Sequence, residues 1–289
     1  MMISKAVISR FLPVFALVFF GVASAQDDSA DSLELTFGVY QSSKATVMYR
    51  QFSPVIDAIQ LSLEDELRRP VDIHIKIFRS YDEGNYALVA GDVDFVRFGP
   101  ASYLIAKSRN PDIRLLVMES KKGQKRFSGI IAVRPDSAIQ TLADLAGKKF
   151  AFGDQNSTIG RYLAQAELQN AGVTSSDLAS YQYLGRHDTV GKAVAIGDYD
   201  AGSLKESTFE TFRRAGELRE LHRFQNVTQP WIARGHLDQE VFDAIQHSLL
   251  SLEDPEALEE LGVTGFFPTS DSEYEFIRQG MLSAVAFEN

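Results

Sequence analysis

The chain contains no cysteine. Disulfides, thiolate nucleophiles and cysteine-ligated metals are therefore excluded. Its five histidines, His74, His187, His222, His236 and His247, do not pair at ligand spacing, so no zinc site and no other metal or cofactor is expected. Neither a G-x-S-x-G nucleophile elbow nor a P-loop with its Lys-Ser/Thr pair occurs. Internal repeats are absent too. Positive charge is scarce: 29 Lys and Arg stand against 39 Asp and Glu, a formal net charge of −10. That balance argues against nucleic acid and anionic membranes as partners. A small anion is not excluded, because local donors in a cleft can outweigh a diffuse negative surface.

Long apolar runs are missing except for one at the start. Phe11 to Val22 is apolar but short for a membrane span. Lys5 and Arg10 precede it, and Ala23-Ser24-Ala25 follows as a small-residue cleavage site. Residues 1–25 thus read as a signal peptide, removed on export. No cysteine follows for lipid attachment, so the mature protein is expected to be free in the space it enters. Residues 26–32 are small, polar and acidic and read as a disordered leader. Export without disulfides places the whole burden of stability on a large core, which the remaining length can bury.

From Leu33 onward strand and helix patterns alternate. Leu33–Val39 and Val71–Phe78 have period two, and Phe52, Val55, Ile56, Ile59 and Leu63 between them mark a helix face. A helix over about Gly84–Ala90, a strand over Val93–Phe98, a helix opened by Gly99-Pro100 and a strand at Ile113–Met118 follow. After the polar stretch Lys121–Arg126 the rhythm restarts. Strands are predicted at Ser128–Val133, Lys149–Phe152, Tyr181–Leu184 and near Ala201, with helices at Leu142–Lys148, Arg161–Ala171 and Thr189–Ile196. Beyond about Gln225 the pattern is purely helical, over Leu237–Leu252 and Glu273–Val285. This rhythm implies βαβ crossovers, hence an α/β protein of two lobes, each a mainly parallel sheet flanked by helices. Lobe one comprises residues 33–127 and 226–289, with the C-terminal helices packed back on it; lobe two comprises 128–225. The chain crosses between them twice, near Phe127–Ser128 and near Asn226–Pro230, and such paired hinges let lobes close on a ligand.

At the centre lies Asp154-Gln155-Asn156-Ser157-Thr158-Ile159-Gly160, between a strand and a helix. The first N–H groups of a helix lack internal partners and the helix dipole adds positive potential there. With two hydroxyls beside them, this turn suits a small oxyanion. An ordinary N-cap is the plainer reading.

Several separated segments resemble one family. Gly91-Asp92-Val93-Asp94-Phe95 with Gly99-Pro100-Ala101-Ser102-Tyr103, Leu142–Gly147 with Lys149–Phe152, Asn156–Gly160, and Gly185–Val190 with Ala193–Gly202 are similar to elements of the phosphonate/phosphite/phosphate substrate-binding proteins of ABC transporters. These are a branch of the type II periplasmic binding proteins. The resemblance covers about Leu33 to Leu252. It implies a non-enzymatic, monomeric periplasmic protein that captures a small anionic phosphorus ligand between its lobes and delivers it to a membrane permease. A sensor subunit docking on a histidine kinase or chemoreceptor is the alternative.

Carried over by position, the resemblance implies that Ser157 and Thr158 hold ligand oxygens, with Gly160 completing the loop, and that His187 donates a hydrogen bond. Tyr103 either faces the cleft or belongs to the core of lobe one. Tyr40 and Gln41 follow the first strand and should reach the cleft. The family's third hydroxyl is replaced by Ile159, and a tyrosine found in some members by Phe98. Strict alternation turns Arg97 away from Phe98, so it forms a surface ion pair or supplies a cation in place of the lost donors. Members that bind aminoalkylphosphonates carry carboxylates for the amine. One such position is Gln229 here, and the other falls near Lys205-Glu206-Ser207, so aminoalkylphosphonates are not expected to be preferred. Ser157, His187 and Asp188 also permit a hydrolytic triad to be drawn.

Overall fold

The computed structural model describes residues 32–288; the expected signal peptide and residues 26–31 of the expected leader lie outside the described residues. β1 (Leu33–Tyr40) and β2 (Val71–Phe78) form where alternation predicts them and pair in parallel, Leu33 opposite Val71 and Tyr40 opposite Phe78. α1 (Ala45–Leu67) joins them and buries Met48, Phe52, Val55, Ile56, Ile59 and Leu63 along one face. α2 (Tyr81–Ala90) starts at Ser80, whose hydroxyl accepts from the Glu83 N–H, and stops at Gly91 with φ of 81°. β3 (Phe95–Arg97), α3 (Pro100–Arg109) and β4 (Arg114–Ser120) follow.

The chain then crosses to β5 (Arg126–Val133), β6 (Lys149–Phe152), a π-helical turn (Thr158–Leu163) leading into α4 (Ala164–Asn170), β7 (Ser180–Tyr183) and α5 (His187–Ala195). β8 (Ala201–Lys205), α6 (Glu206–Arg214) and β9 (Arg219–Val227) complete this half. After the return come β10 (Pro230–Ala233), α7 (Gln239–Leu250), α8 (Pro255–Leu261), β11 (Gly265–Phe267) and α9 (Glu275–Phe287). The strands make two sheets, ordered β11-β4-β10-β3-β1-β2 and β7-β6-β8-β5-β9. No helix among the described residues is long and apolar enough to cross a membrane.

Three expectations need correction. The sheets are mixed: β1 is parallel to β2 and β3, and β6 to β7 and β8, but β10 runs antiparallel to β3 and β4 and β5 antiparallel to β8 and β9. A strand reached through a crossover helix enters its sheet from the same end, whereas one reached across the hinge enters from the other. The chain after Gln225 is not purely helical, since β10 and β11 close the first sheet with four and three residues. Strands so short show no period. The last helix does not return to lobe one with α7 and α8. Phe287 packs edge-on against Phe152 and Tyr181, and Arg161 pairs with Glu288 at 2.8 Å, so α9 sits on the second half of the molecule.

The two crossings run side by side. Thr228 N–H donates to the Lys125 carbonyl at 3.1 Å and Glu119 N–H to the Gln229 carbonyl at 3.0 Å. The outward crossing, Lys121–Lys125, lies a few residues before the expected point. A third connection, residues 268–274, carries the chain from β11 to α9.

Candidate functional site

The tip after β6 is built on a close glycine contact. Gly153 N–H donates to the Gly160 carbonyl at 2.7 Å, and a Cβ on either glycine would come within 2.9 Å of the other's Cα. This approach folds residues 154–157 back so that Ser157 caps the π-helical turn, its hydroxyl accepting from Gly160 N–H at 2.9 Å. The Ser157 carbonyl accepts from both Arg161 and Tyr162. Ser203 donates to the Gly160 carbonyl at 2.8 Å.

The facing tip is the start of α3. Gly99 N–H donates to the Tyr40 hydroxyl at 2.5 Å, and that hydroxyl lies 3.1 Å from Ser102 Oγ. The Tyr40 ring lies between Tyr81, with centroids 3.6 Å apart, and Phe98 at 4.7 Å. Burial pushes the Tyr40 phenol up to about 12, so it acts as a neutral hydroxyl. The two tips touch where Ala101 N–H donates to Thr158 Oγ1 at 2.9 Å, and Asn156 Nδ2 donates to Asp82 Oδ1 in the first turn of α2 at 2.7 Å.

His187 opens α5 and is 4% exposed. Its Nδ1 has no hydrogen-bond partner among the described residues. Burial, with the charge of Lys205 added, lowers its pKa to about 3 and keeps the ring neutral. Beside it lies a charged group. Arg97 makes a two-pronged bond to Glu119, at 2.7 and 3.0 Å, and Lys121 Nζ lies 3.8 Å from the same carboxylate. Glu119 is fully buried; burial acts to raise its pKa, but Arg97 and Lys121 hold it below the usual range. Lys205 is brought down to about 8, first by burial and then by Arg97 and Lys121.

Residues of both tips, together with His187, Arg97, Lys121 and Lys205, border one cavity of about 860 Å³ between the two sheets. Of the residues expected at the site, Tyr40, Arg97, Ser157, Thr158 and His187 line it. Gln41, Tyr103 and Gly160 do not. Gln41 donates its backbone N–H to Phe78 beside the strand end. Tyr103 is 1% exposed, packs on Tyr274 and donates to Asp271, which makes it a core residue. Both backbone groups of Gly160 are bonded within the tip. Arg97, which alternation turned away, faces the cavity because β3 ends there and Phe98 leaves the strand to stack on Tyr40.

Sequence reading missed Tyr81, Lys121 and Asn226 as lining residues, and treated Gln229 and Lys205 only as places where an amine-binding carboxylate is absent. Position was their available signal, since most sit at a hinge or a strand end. The drawn triad is not assembled: the Ser157 hydroxyl bonds Gly160 N–H, and Asp188 pairs with Arg186 at 2.9 and 3.1 Å. His74 lies 2.9 Å from Glu34 and 3.8 Å from Asp72, the one grouping with metal-ligand proximity among the described residues. It is exposed on β1 and β2 and borders no part of the cavity.

Comparison with known proteins places the chain in a family. Residues 37–274 match the family described as ABC transporter, phosphonate, periplasmic substrate-binding protein. A probable ABC transporter phosphite binding protein, PhnD1, of Prochlorococcus marinus (strain MIT 9301) is 26% identical over 248 residues, covering 76% of this chain and 82% of its own. The phosphate-import protein PhnD of Mycolicibacterium smegmatis is 26% identical over 221 residues, covering 66% and 69%. The solved structure of PhnD1 from P. marinus in complex with methylphosphonate superposes with a TM-score of 0.73 at 21% identity, covering 86% of this chain and 96% of its own.

Proposed function

We propose, on the premise that the chain belongs to the phosphonate periplasmic substrate-binding proteins of ABC transporters, that it captures a small phosphorus oxyanion or alkylphosphonate and presents it to a membrane permease. The ligand sits between the Ser157–Thr158 tip and the start of α3. Tyr40, Tyr81 and His187 add neutral polar groups, and Arg97, Lys121 and Lys205 add charge. The protein acts as a monomer in the periplasm after removal of residues 1–25, and its task is binding, without turnover.

The observation that carries this reading is the meeting of two helix starts across one cavity, with the buried, unpartnered Nδ1 of His187 beside them. Helix starts supply N–H donors and positive potential to an anion, and a desolvated cleft strengthens each charge-assisted bond. Relatives named for phosphite and phosphate support the same chemistry.

A thermal-shift panel of phosphite, phosphate, methylphosphonate and arsenate tests it. A true ligand at about 100 times its dissociation constant adds roughly 2.7 kcal/mol of stability. The Ser157→Ala/Thr158→Ala double variant should remain folded and lose the shift. No shift with any phosphorus acid would refute the proposal.

A further inference from the structure

We infer that Lys205, acting with Arg97 and Lys121, is a charge filter that selects doubly ionised phosphorus acids over singly charged sulfonates of the same shape. The inference rests on the oxyanion reading above and adds the feature that decides ligand charge.

The donors at the two tips are neutral: hydroxyls, a neutral imidazole and backbone N–H groups. Such donors recognise a tetrahedral acid by shape and do not distinguish a phosphonate from a sulfonate. The charged wall does. Glu119 is shared by Arg97 and Lys121, and Lys205 has no ion pair or hydrogen bond to a carboxylate among the described residues. Three cations against one buried carboxylate leave a surplus of two positive charges on the cavity wall.

The acids farther out do not neutralise that surplus. Glu206 pairs with Arg223 at 2.6 Å and Glu210 with Arg213 at 2.7 Å, while Glu260 is exposed. Lys122, Arg126 and Arg214 also border the cavity and add to the same sign. The charged groups acting on Lys205 are Arg97 from β3, Lys121 and Glu119 from β4 and Asp188 from α5. Burial first, and then Arg97 and Lys121, hold its pKa at about 8. A desolvated charge without a counter-charge is unfavourable, so a ligand with two negative charges satisfies the wall and a ligand with one leaves a cation unmatched. Specificity arises here from what the wrong ligand fails to neutralise.

The test is calorimetry with methylphosphonate and methanesulfonate, a pair matched in shape and different in charge, on the wild type, Lys205→Gln and Lys121→Gln. At pH 8, where methylphosphonate is mostly doubly ionised and methanesulfonate carries one charge, the wild type should prefer methylphosphonate by about a hundredfold. Each variant should cut that ratio by about tenfold or more through weaker phosphonate binding, with sulfonate binding nearly unchanged. The wild type alone gives a second reading. As pH falls and methylphosphonate loses its second charge, its affinity should approach that of methanesulfonate. An unchanged ratio in both variants, equal losses for both ligands, or a wild-type preference independent of pH would overturn the filter while leaving the oxyanion site standing. Failure of the wild type to bind any phosphorus acid would overturn both.

Discussion

Thr158 Oγ1 accepts the backbone N–H of Ala101 across the cleft at 2.9 Å, so a side chain of one lobe caps the first turn of a helix in the other. That N–H is an orphan donor of α3, and its bond holds only when the lobes are together. Thr158→Val keeps the shape and removes the acceptor. The closed arrangement should lose roughly 1–3 kcal/mol, and affinity for methylphosphonate should fall about tenfold or more. Calorimetry measures this directly. Unchanged affinity would show that the contact contributes nothing to closure.

His187 makes stability depend on pH. The ring titrates near 6.5 when unfolded and near 3 in the folded protein, the shift being due to burial and then to Lys205. Between those values the unfolded chain binds more protons, so stability falls as pH drops from 6.5 toward 3. In His187→Gln this contribution disappears. Melting curves from pH 7 to pH 4 should show a shallower decline in the variant than in the wild type. Parallel profiles would contradict the assignment.

Gln229 ends the return crossing and borders the cavity, with Oε1 lacking a hydrogen-bond partner among the described residues. No carboxylate stands there to hold an amine, and the nearby wall is already cationic. The wild type should therefore bind 2-aminoethylphosphonate no more tightly than methylphosphonate. Gln229→Glu should reverse the order by neutralising part of the wall and giving the amine a partner, an effect of about tenfold. Competition calorimetry with the two phosphonates decides it, and tighter wild-type binding of 2-aminoethylphosphonate would refute the expectation.

Local signals made most of the fold legible. The alternation in β1 and β2, the apolar face of α1 and the capped tip at Ser157 each depend on residues within one or two turns, and each appears where the pattern placed it. What escaped depends on distant residues. Tyr103 looks like a cleft residue because it follows Gly99-Pro100, yet its partner is Asp271, 168 positions away. Arg97 stays open between a surface ion pair and a cleft cation in the sequence, because alternation has no force past the end of a three-residue strand. Lys121 and Lys205 become meaningful only when the hinge places them around Glu119. The capped hydroxyl tip is thus readable in one segment, whereas the charge around the cavity is assembled from several.

The C-terminal helix acts as a clasp, and its contribution can be separated from ligand binding. Phe287 is fully buried and meets Phe152 at 5.7 Å and Tyr181 at 5.9 Å, both rings of the second sheet. The connection leading to α9 is tied to the first half by the Tyr103–Asp271 bond and to the outward crossing by the Lys125–Glu273 pair at 2.6 Å. The ion pair is part-exposed and contributes little by itself, so the buried ring carries most of the anchoring. Phe287→Ala should cost about 3–5 kcal/mol through lost burial and a cavity. Its ring partners Phe152 and Tyr181 do not line the cavity, so methylphosphonate affinity should stay within about threefold of wild type at temperatures where the variant is folded. Denaturant melts paired with calorimetry separate the two effects. A large loss of affinity with little loss of stability would mean that α9 governs closure of the cleft, and its role as a structural clasp would have to be abandoned.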